Sequence, residues 1–212
     1  MDGCGTERIA MKKISIVVPC YNEQEVLPLF YIEIQKVMQQ IQEEHADTEF
    51  ELLFINDGSR DGTLAKLREL AKQDERVRYI SFSRNFGKES GMYAGLENAT
   101  GDYVVIMDAD LQHPPAFLPK MYNIVLSGEY DCATTRRVSR KGEPKLLSWF
   151  SRKFYKIMKR ISQTEIVDGA QDFRFMTRQM VDSILAMKEY NRFSKGIFLS
   201  LIHISEPTRQ AE

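Results

Sequence analysis

Apolar and polar positions follow two rhythms along this chain. Short apolar runs rich in β-branched residues stand at residues 14–19 (ISIVVP), 51–55 (ELLFI), 77–82 (VRYISF) and 103–107 (YVVIM). Each has the length and character of a buried strand. Between them, Val26, Leu27, Phe30, Ile34, Val37, Met38 and Ile41 keep one face of a first helix, and Leu64, Leu67 and Leu70 do the same in a second. Turn-forming residues at 58–63 and 98–102 mark the junctions. The order β-α-β-α-β-α-β predicts an α/β protein with a mostly parallel sheet covered by helices on both faces.

In such sheets ligands sit beyond the carboxyl ends of the strands, where strand order reverses. The polar clusters fall there: PCYNE after the first run, NDGSRDGT after the second, SRNFGKESG after the third and DADLQ after the fourth. Asp57 in the second cluster suits a binding role or a plain turn, with Ser59 and Asp61 able to cap the helix that follows. Neither GxGxxG nor GxxxxGK[ST] occurs, so neither glycine-rich phosphate cradle is present.

The fourth cluster raises the sharpest question. If the strand runs on into VVIMDADLQHPP, alternation sends Asp108, Asp110 and Gln112 to one face. Two carboxylates that close repel unless a cation or water lies between them. The strand end is therefore either a metal site or a solvated turn. Mg²⁺ and Mn²⁺ take carboxylate oxygens and complete their shell with substrate phosphates, and an amide oxygen from Gln112 fits that set.

Composition narrows the choice. At 212 residues, 43% hydrophobic and 28% charged, the chain has enough material for one sizeable core. A net charge of −1 gives no global reason to expect a nucleic-acid partner. Cys4, Cys20 and Cys132 lack CxxC spacing, which argues against a zinc site or a disulfide scaffold. No run approaches the roughly 18 consecutive apolar residues of a membrane span. Residues 1–11 read as an extension and residues 12–198 as the domain, incomplete at its C-terminal end. Residues 199–212 (LSLIHISEPTRQAE) resemble a translated sequencing adapter and are set aside with His203.

SIVVPCYNE, INDGSRDGT, SRNFGKESGMYAGLENATGDYVVIMDADLQHPP and QDFRFM together resemble the family-2 glycosyltransferases of GT-A, Rossmann-like fold, and among them the polyprenyl-phosphate glycosyltransferases. The resemblance implies inverting transfer of a sugar from a nucleotide diphosphate to a polyprenyl phosphate lipid, with Mg²⁺ or Mn²⁺ as cofactor. UDP-glucose is the favoured donor, with GDP-mannose-type donors next. By position, Pro19, Tyr21, Glu23, Ile55, Asp57, Asp108, Ala109 and Asp110 match the donor site, and Asp108, Asp110 and Gln112 the metal ligands. His113 stands where many relatives carry a carboxylate and reads as a loop residue outside the metal set. Arg84 and Lys88 flank Gly87 within reach of a diphosphate, or else line a solvated surface.

Asp172, in GAQDFRF, matches the presumed base, with a helix cap before a Met176 helix as the structural alternative. Arg137, Arg140, Ser151 and Arg152 match positions near the lipid phosphate, in a strongly basic segment, residues 136–160, whose apolar residues recur at helical spacing. That segment suits an anionic membrane surface, or else a helix packed on its own core. The resemblance further implies the cytoplasmic face of a membrane, C-terminal membrane helices beyond this sequence and, through them, homo-oligomer contacts. Two alternatives stand beside this reading: a family-2 transferase acting on a saccharide or protein acceptor, and a non-catalytic nucleotide-binding or membrane-scaffold module.

Overall fold

The computed structural model describes residues 11–136 and 170–187. Along the chain run β1 (Lys12–Cys20), α1 (Leu27–Glu44), β2 (Thr48–Asn56), α2 (Thr63–Gln73), β3 (Val77–Ser81), α3 (Lys88–Asn98) and β4 (Tyr103–Ile106). A single 3₁₀ turn (Pro115–Phe117) then leads into α4 (Leu118–Leu126), followed by β5 (Cys132–Arg136), β6 (Ala170–Thr177) and α5 (Arg178–Ala186). The six strands form one sheet in the order β3-β2-β1-β4-β6-β5. β1 pairs in parallel with β2 and β4, and β2 with β3. β6 inserts antiparallel between β4 and β5.

The four predicted strands and the mostly parallel sheet are therefore present, and β5 and β6 add an antiparallel edge. Both strands lie among residues whose apolar runs are short and broken by Asp, Arg and Thr, so the period-2 signal is faint there. Asp172 belongs to β6 and caps no helix. The helix begins at Arg178, with Thr177 at its N-cap accepting a hydrogen bond from the Met180 backbone N–H.

Two cores flank the sheet. On one face Ile14, Ile16, Val18, Phe54, Val105 and Phe175 meet Phe30, Ile34, Met38 and Ile41 of α1, Leu67 of α2 and Tyr122 of α4. On the other, Val17, Leu53, Ile55, Val104, Ile106 and Met176 meet Met92 and Leu96 of α3 and Val181 and Ile184 of α5. Each large side chain so buried contributes about 1.5–3 kcal/mol. The α1 stripe holds as predicted, except that Val26 is the residue before the helix.

Glu51 is the exception to apolar burial: only 3% exposed, it accepts hydrogen bonds from the Ser15 hydroxyl, the Thr100 backbone N–H and hydroxyl, and the Arg78 guanidinium. Burial pushes its carboxyl up, but these donors outweigh burial and hold it below its ordinary value. It ties β1, β2, β3 and the turn before β4 together. Among the described residues no helix is long and apolar enough to cross a membrane.

Candidate active site

The register brings the strand ends into rank. Cys20, Asn56 and Ser81 lie side by side at the ends of β1, β2 and β3. β1 is the strand from which the order runs both ways, so the crevice lies above it, between β2 and β4.

The first two polar clusters are stitched to each other. Backbone N–H groups of Asn22, Glu23 and Gln24 donate to Ser59 Oγ, Thr63 Oγ1 and Asp61 Oδ2 at 3.0, 2.8 and 3.2 Å. In return the N–H groups of Arg60 and Gly62 donate to Asn22 Oδ1 and Gln24 Oε1 at 2.9 and 2.7 Å. Ser59 thus serves as a loop-to-loop acceptor, and Asp61 accepts from both the first loop and the start of α2. Gly62 is the N-cap and has no side chain to offer, and Asp61 serves the helix end from one residue further out, its Oδ1 accepting from the Thr63 backbone N–H at 3.0 Å and the Thr63 hydroxyl at 2.6 Å. The third cluster is held by Asp57, which is 3% exposed and accepts from the N–H groups of Phe86 and Gly87 at 2.7 and 2.9 Å. Gly58, at φ +63°, lets this loop pass against the Arg84 backbone, where a Cβ would stand 2.2 Å from the carbonyl carbon.

These contacts shape a cleft of about 300 Å³ lined by Pro19, Cys20, Tyr21, Glu23, Asp57, Asn85, Lys88, Asp108, Ala109 and Asp110. Eight of these are residues singled out in the sequence. Ile55 is not among them: fully buried, it lies against Gly91 of α3 in the core. Cys20 and Asn85 are additions, each flanked in sequence by residues already flagged. Burial pushes the Cys20 thiol far up, so it is no nucleophile.

β4 ends at Ile106, so Asp108 and Asp110 share no strand face. A turn brings them together instead: Leu111 sits at φ +56° and the Gln112 N–H donates to Asp110 Oδ1 at 3.0 Å. The same turn carries His113 inward, so that single ligand atoms of Asp108, Asp110 and His113 all lie within 4.8 Å of one another. Gln112 itself is exposed. Alternation along an extended chain does not hold through a left-handed residue, which is why the sequence pattern favoured Gln112 over His113.

Lys88, the first residue of α3, reaches across this group. Its ammonium donates to Asp108 Oδ2 at 2.8 Å and to Asp172 Oδ2 at 2.9 Å. The antiparallel register pairs Ile106 with Arg174, which sets Asp172 beside Asp108 two residues further on. Burial pushes the ammonium pKa down, but the bonds to Asp108 and Asp172 outweigh this and leave it above its ordinary value. Glu23 is pushed up by burial and by the negative charges of Asp110, Asp108 and Asp61. A concave, acidic, partly desolvated site with one bridging cation suits a divalent ion and a diphosphate. The residues present fit such an ion, because both ring nitrogens of His113 are buried without a hydrogen-bond partner beside two carboxylates. An unsatisfied buried polar group costs about 1–3 kcal/mol. Arg84 stacks on the exposed Phe86 ring at 4.8 Å. Arg137, Arg140, Ser151 and Arg152 lie outside the described residues.

Comparison with known proteins gives the same outline. Residues 15–185 match the family described as glycosyl transferase family 2. The chain is 40% identical over 185 residues to a prophage bactoprenol glucosyl transferase homolog of Escherichia coli K12, covering 87% of this chain and 58% of that protein. It spans less than two thirds of the length of the curated relatives it matches. Among solved structures, glucosyl-3-phosphoglycerate synthase from Mycobacterium tuberculosis with Mn²⁺, UDP-glucose and phosphoglyceric acid superposes with a TM-score of 0.57 at 21% identity, covering 92% of this chain and 66% of that one. The mannosyltransferase PcManGT from Pyrobaculum calidifontis with GDP-mannose and Mn²⁺ does so with 0.55 at 20%, covering 82% and 47%. These likenesses establish the GT-A fold.

Proposed function

The chain belongs to glycosyl transferase family 2, and from that premise we propose that it transfers a sugar, glucose as the favoured case, from a nucleotide-diphosphate sugar to a polyprenyl phosphate with inversion at the anomeric carbon. The observation that carries the reading is the meeting of Asp108, Asp110 and Lys88 in one cleft with Asp172 across the ammonium. The names of the bactoprenol relatives support the lipid acceptor and the glucose donor.

In this reading Tyr21, Glu23 and the 57–58 turn receive the nucleoside, and Lys88 meets the diphosphate. Asp108, Asp110 and Gln112 would hold Mg²⁺ or Mn²⁺, an ion that neutralises a diphosphate and the charge growing on it as a leaving group. Asp172 faces the acceptor. A lipid phosphate is already largely anionic near neutral pH, so Asp172 aligns it or takes its last proton. Arg137, Arg140, Ser151 and Arg152 are assigned to the acceptor phosphate by sequence position, where arginine forks suit phosphate oxygens. The reaction belongs at the cytoplasmic face of a membrane.

The test is thermal shift with UDP and GDP sugars, with and without Mn²⁺, on the chain and on Asp110→Ala. The expected outcome is metal-dependent stabilisation by one nucleotide class that disappears in the variant. A folded chain that no nucleotide stabilises sinks the reading.

A further inference from the structure

Beside the acidic pair stands a side chain to which the donor reading gives no role. Leu111, at φ +56°, folds the chain back so that one His113 ring nitrogen lies within 4.8 Å of a carboxylate oxygen of both Asp108 and Asp110. Both ring nitrogens are buried and neither has a hydrogen-bond partner. The imidazole has Phe173 of β6 as a ring neighbour, its centroid 6.2 Å away. An imidazole offers one donor and one acceptor and seldom goes inside without using them. Bonds of about 2.0–2.2 Å from one ion to nitrogen and carboxylate oxygen place its ligand atoms roughly 3–4.4 Å apart. With the three atoms within 4.8 Å of one another, no pair needs to close by more than about 1.8 Å to share an ion.

We propose that His113 is a nitrogen ligand of the donor-site cation, and that the set of two carboxylates and one imidazole selects first-row transition ions over Mg²⁺. The inference rests on the reading of the cleft as a cation-assisted donor site, puts His113 in the place assigned above to the exposed Gln112, and adds the choice of metal. Mg²⁺ takes oxygen ligands and gains little from imidazole, whereas affinity at nitrogen-containing sites climbs from Mn²⁺ to Co²⁺. Lys88 is compatible with this arrangement, since its ammonium lies against the Asp108 oxygens and yields one of them when the ion enters.

The experiment is pulsed electron paramagnetic resonance of Mn²⁺ bound to the untagged 212-residue chain, alone and with UDP. Directly bound ¹⁴N should modulate the echo, shift on ¹⁵N-histidine labelling, and vanish in His113→Gln; this last step excludes His45 and His203. Calorimetric titration of His113→Asp, which returns the site to oxygen, should weaken Co²⁺ on the order of tenfold or more while leaving Mg²⁺ equal or tighter. Mn²⁺ bound without nitrogen coupling overturns the assignment of His113 and leaves the donor site standing. No bound Mn²⁺ under either condition overturns both. If His113→Gln fails to fold, ¹⁴N modulation retained in both His45→Gln and His203→Gln assigns the ligand to His113, and its loss in either overturns the assignment.

Discussion

The Lys88 ammonium lies between Asp108 at 2.8 Å and Asp172 at 2.9 Å, on the boundary between the side assigned to the donor and the side assigned to the acceptor. It offsets repulsion among carboxylates that would otherwise face one another across the cleft, and it competes with any cation for Asp108. Lys88→Met should therefore have two opposite effects. The gain in melting temperature on adding Mn²⁺ alone should grow, because the carboxylates lose their resident positive charge. Affinity for UDP at saturating Mn²⁺ should fall, because the diphosphate loses a donor. Calorimetry with each ligand in turn separates the two, and a variant in which both effects move the same way contradicts this account. Lys88 was legible in the sequence as a candidate because it follows Gly87 in a polar cluster. Its bond to Asp172 was not, since 84 residues separate the partners and β6 had no clear strand pattern.

At the scale of elements, the loops carry the site only because they are pinned to each other. Gly58 is the tightest point: its φ of +63° and the 2.2 Å approach of a Cβ to the Arg84 carbonyl carbon leave no room for a side chain. Gly58→Ala should cost at least about 2 kcal/mol in denaturant unfolding and weaken nucleotide binding as the Asp57-held loop moves away. A second knot joins α1 to the turn before β3. Asp74 there accepts hydrogen bonds from Tyr31 Oη at 2.7 Å, Gln35 Nε2 at 3.0 Å and the Arg76 guanidinium at 2.8 Å. Burial pushes the Asp74 carboxyl up, but the Arg76 and Tyr31 bonds win and hold it well below the carboxylate range.

A folded pKa below the unfolded one means that this contribution is complete above about pH 4 and is lost as pH falls toward the folded value. Asp74→Asn should destabilise by roughly 1.5–3 kcal/mol at pH 7. The difference from wild type should shrink in unfolding curves below about pH 4, as the carboxyl takes up its proton in the unfolded chain while the folded one is still held ionised. The strands and the α1 stripe were readable because their periodicities are long and unbroken. The Asp74 knot was not, because its partners on α1 lie about forty residues from it and no sequence spacing links the two segments.

At the scale of the molecule, charge is divided along the chain. Residues 136–160 hold ten Lys and Arg against one Glu, in a chain whose totals are 29 basic and 30 acidic residues. The remainder is consequently acidic, as the cleft itself is. A nearly neutral total thus conceals a basic stretch suited to anionic headgroups and an acidic pocket suited to a cation and a diphosphate. The sequence order places the basic stretch directly between β5 and β6, the strand that carries Asp172. If that stretch meets the membrane, the lipid phosphate arrives at the cleft from the side of Asp172, and the sugar donor from the side of Lys88. Flotation with vesicles of phosphatidylglycerol and phosphatidylcholine tests this for the whole chain. Binding should rise with the anionic fraction and fall steeply between about 0.05 and 0.5 M salt, as the screening length contracts below about 10 Å. Changing Arg152, Lys153 and Lys156 together to Gln should abolish flotation while leaving the Mn²⁺-dependent nucleotide shift intact, since the donor residues assigned above lie elsewhere in the sequence. Flotation that ignores salt points to apolar insertion instead. No flotation at all removes the membrane surface from the reading and favours a soluble acceptor.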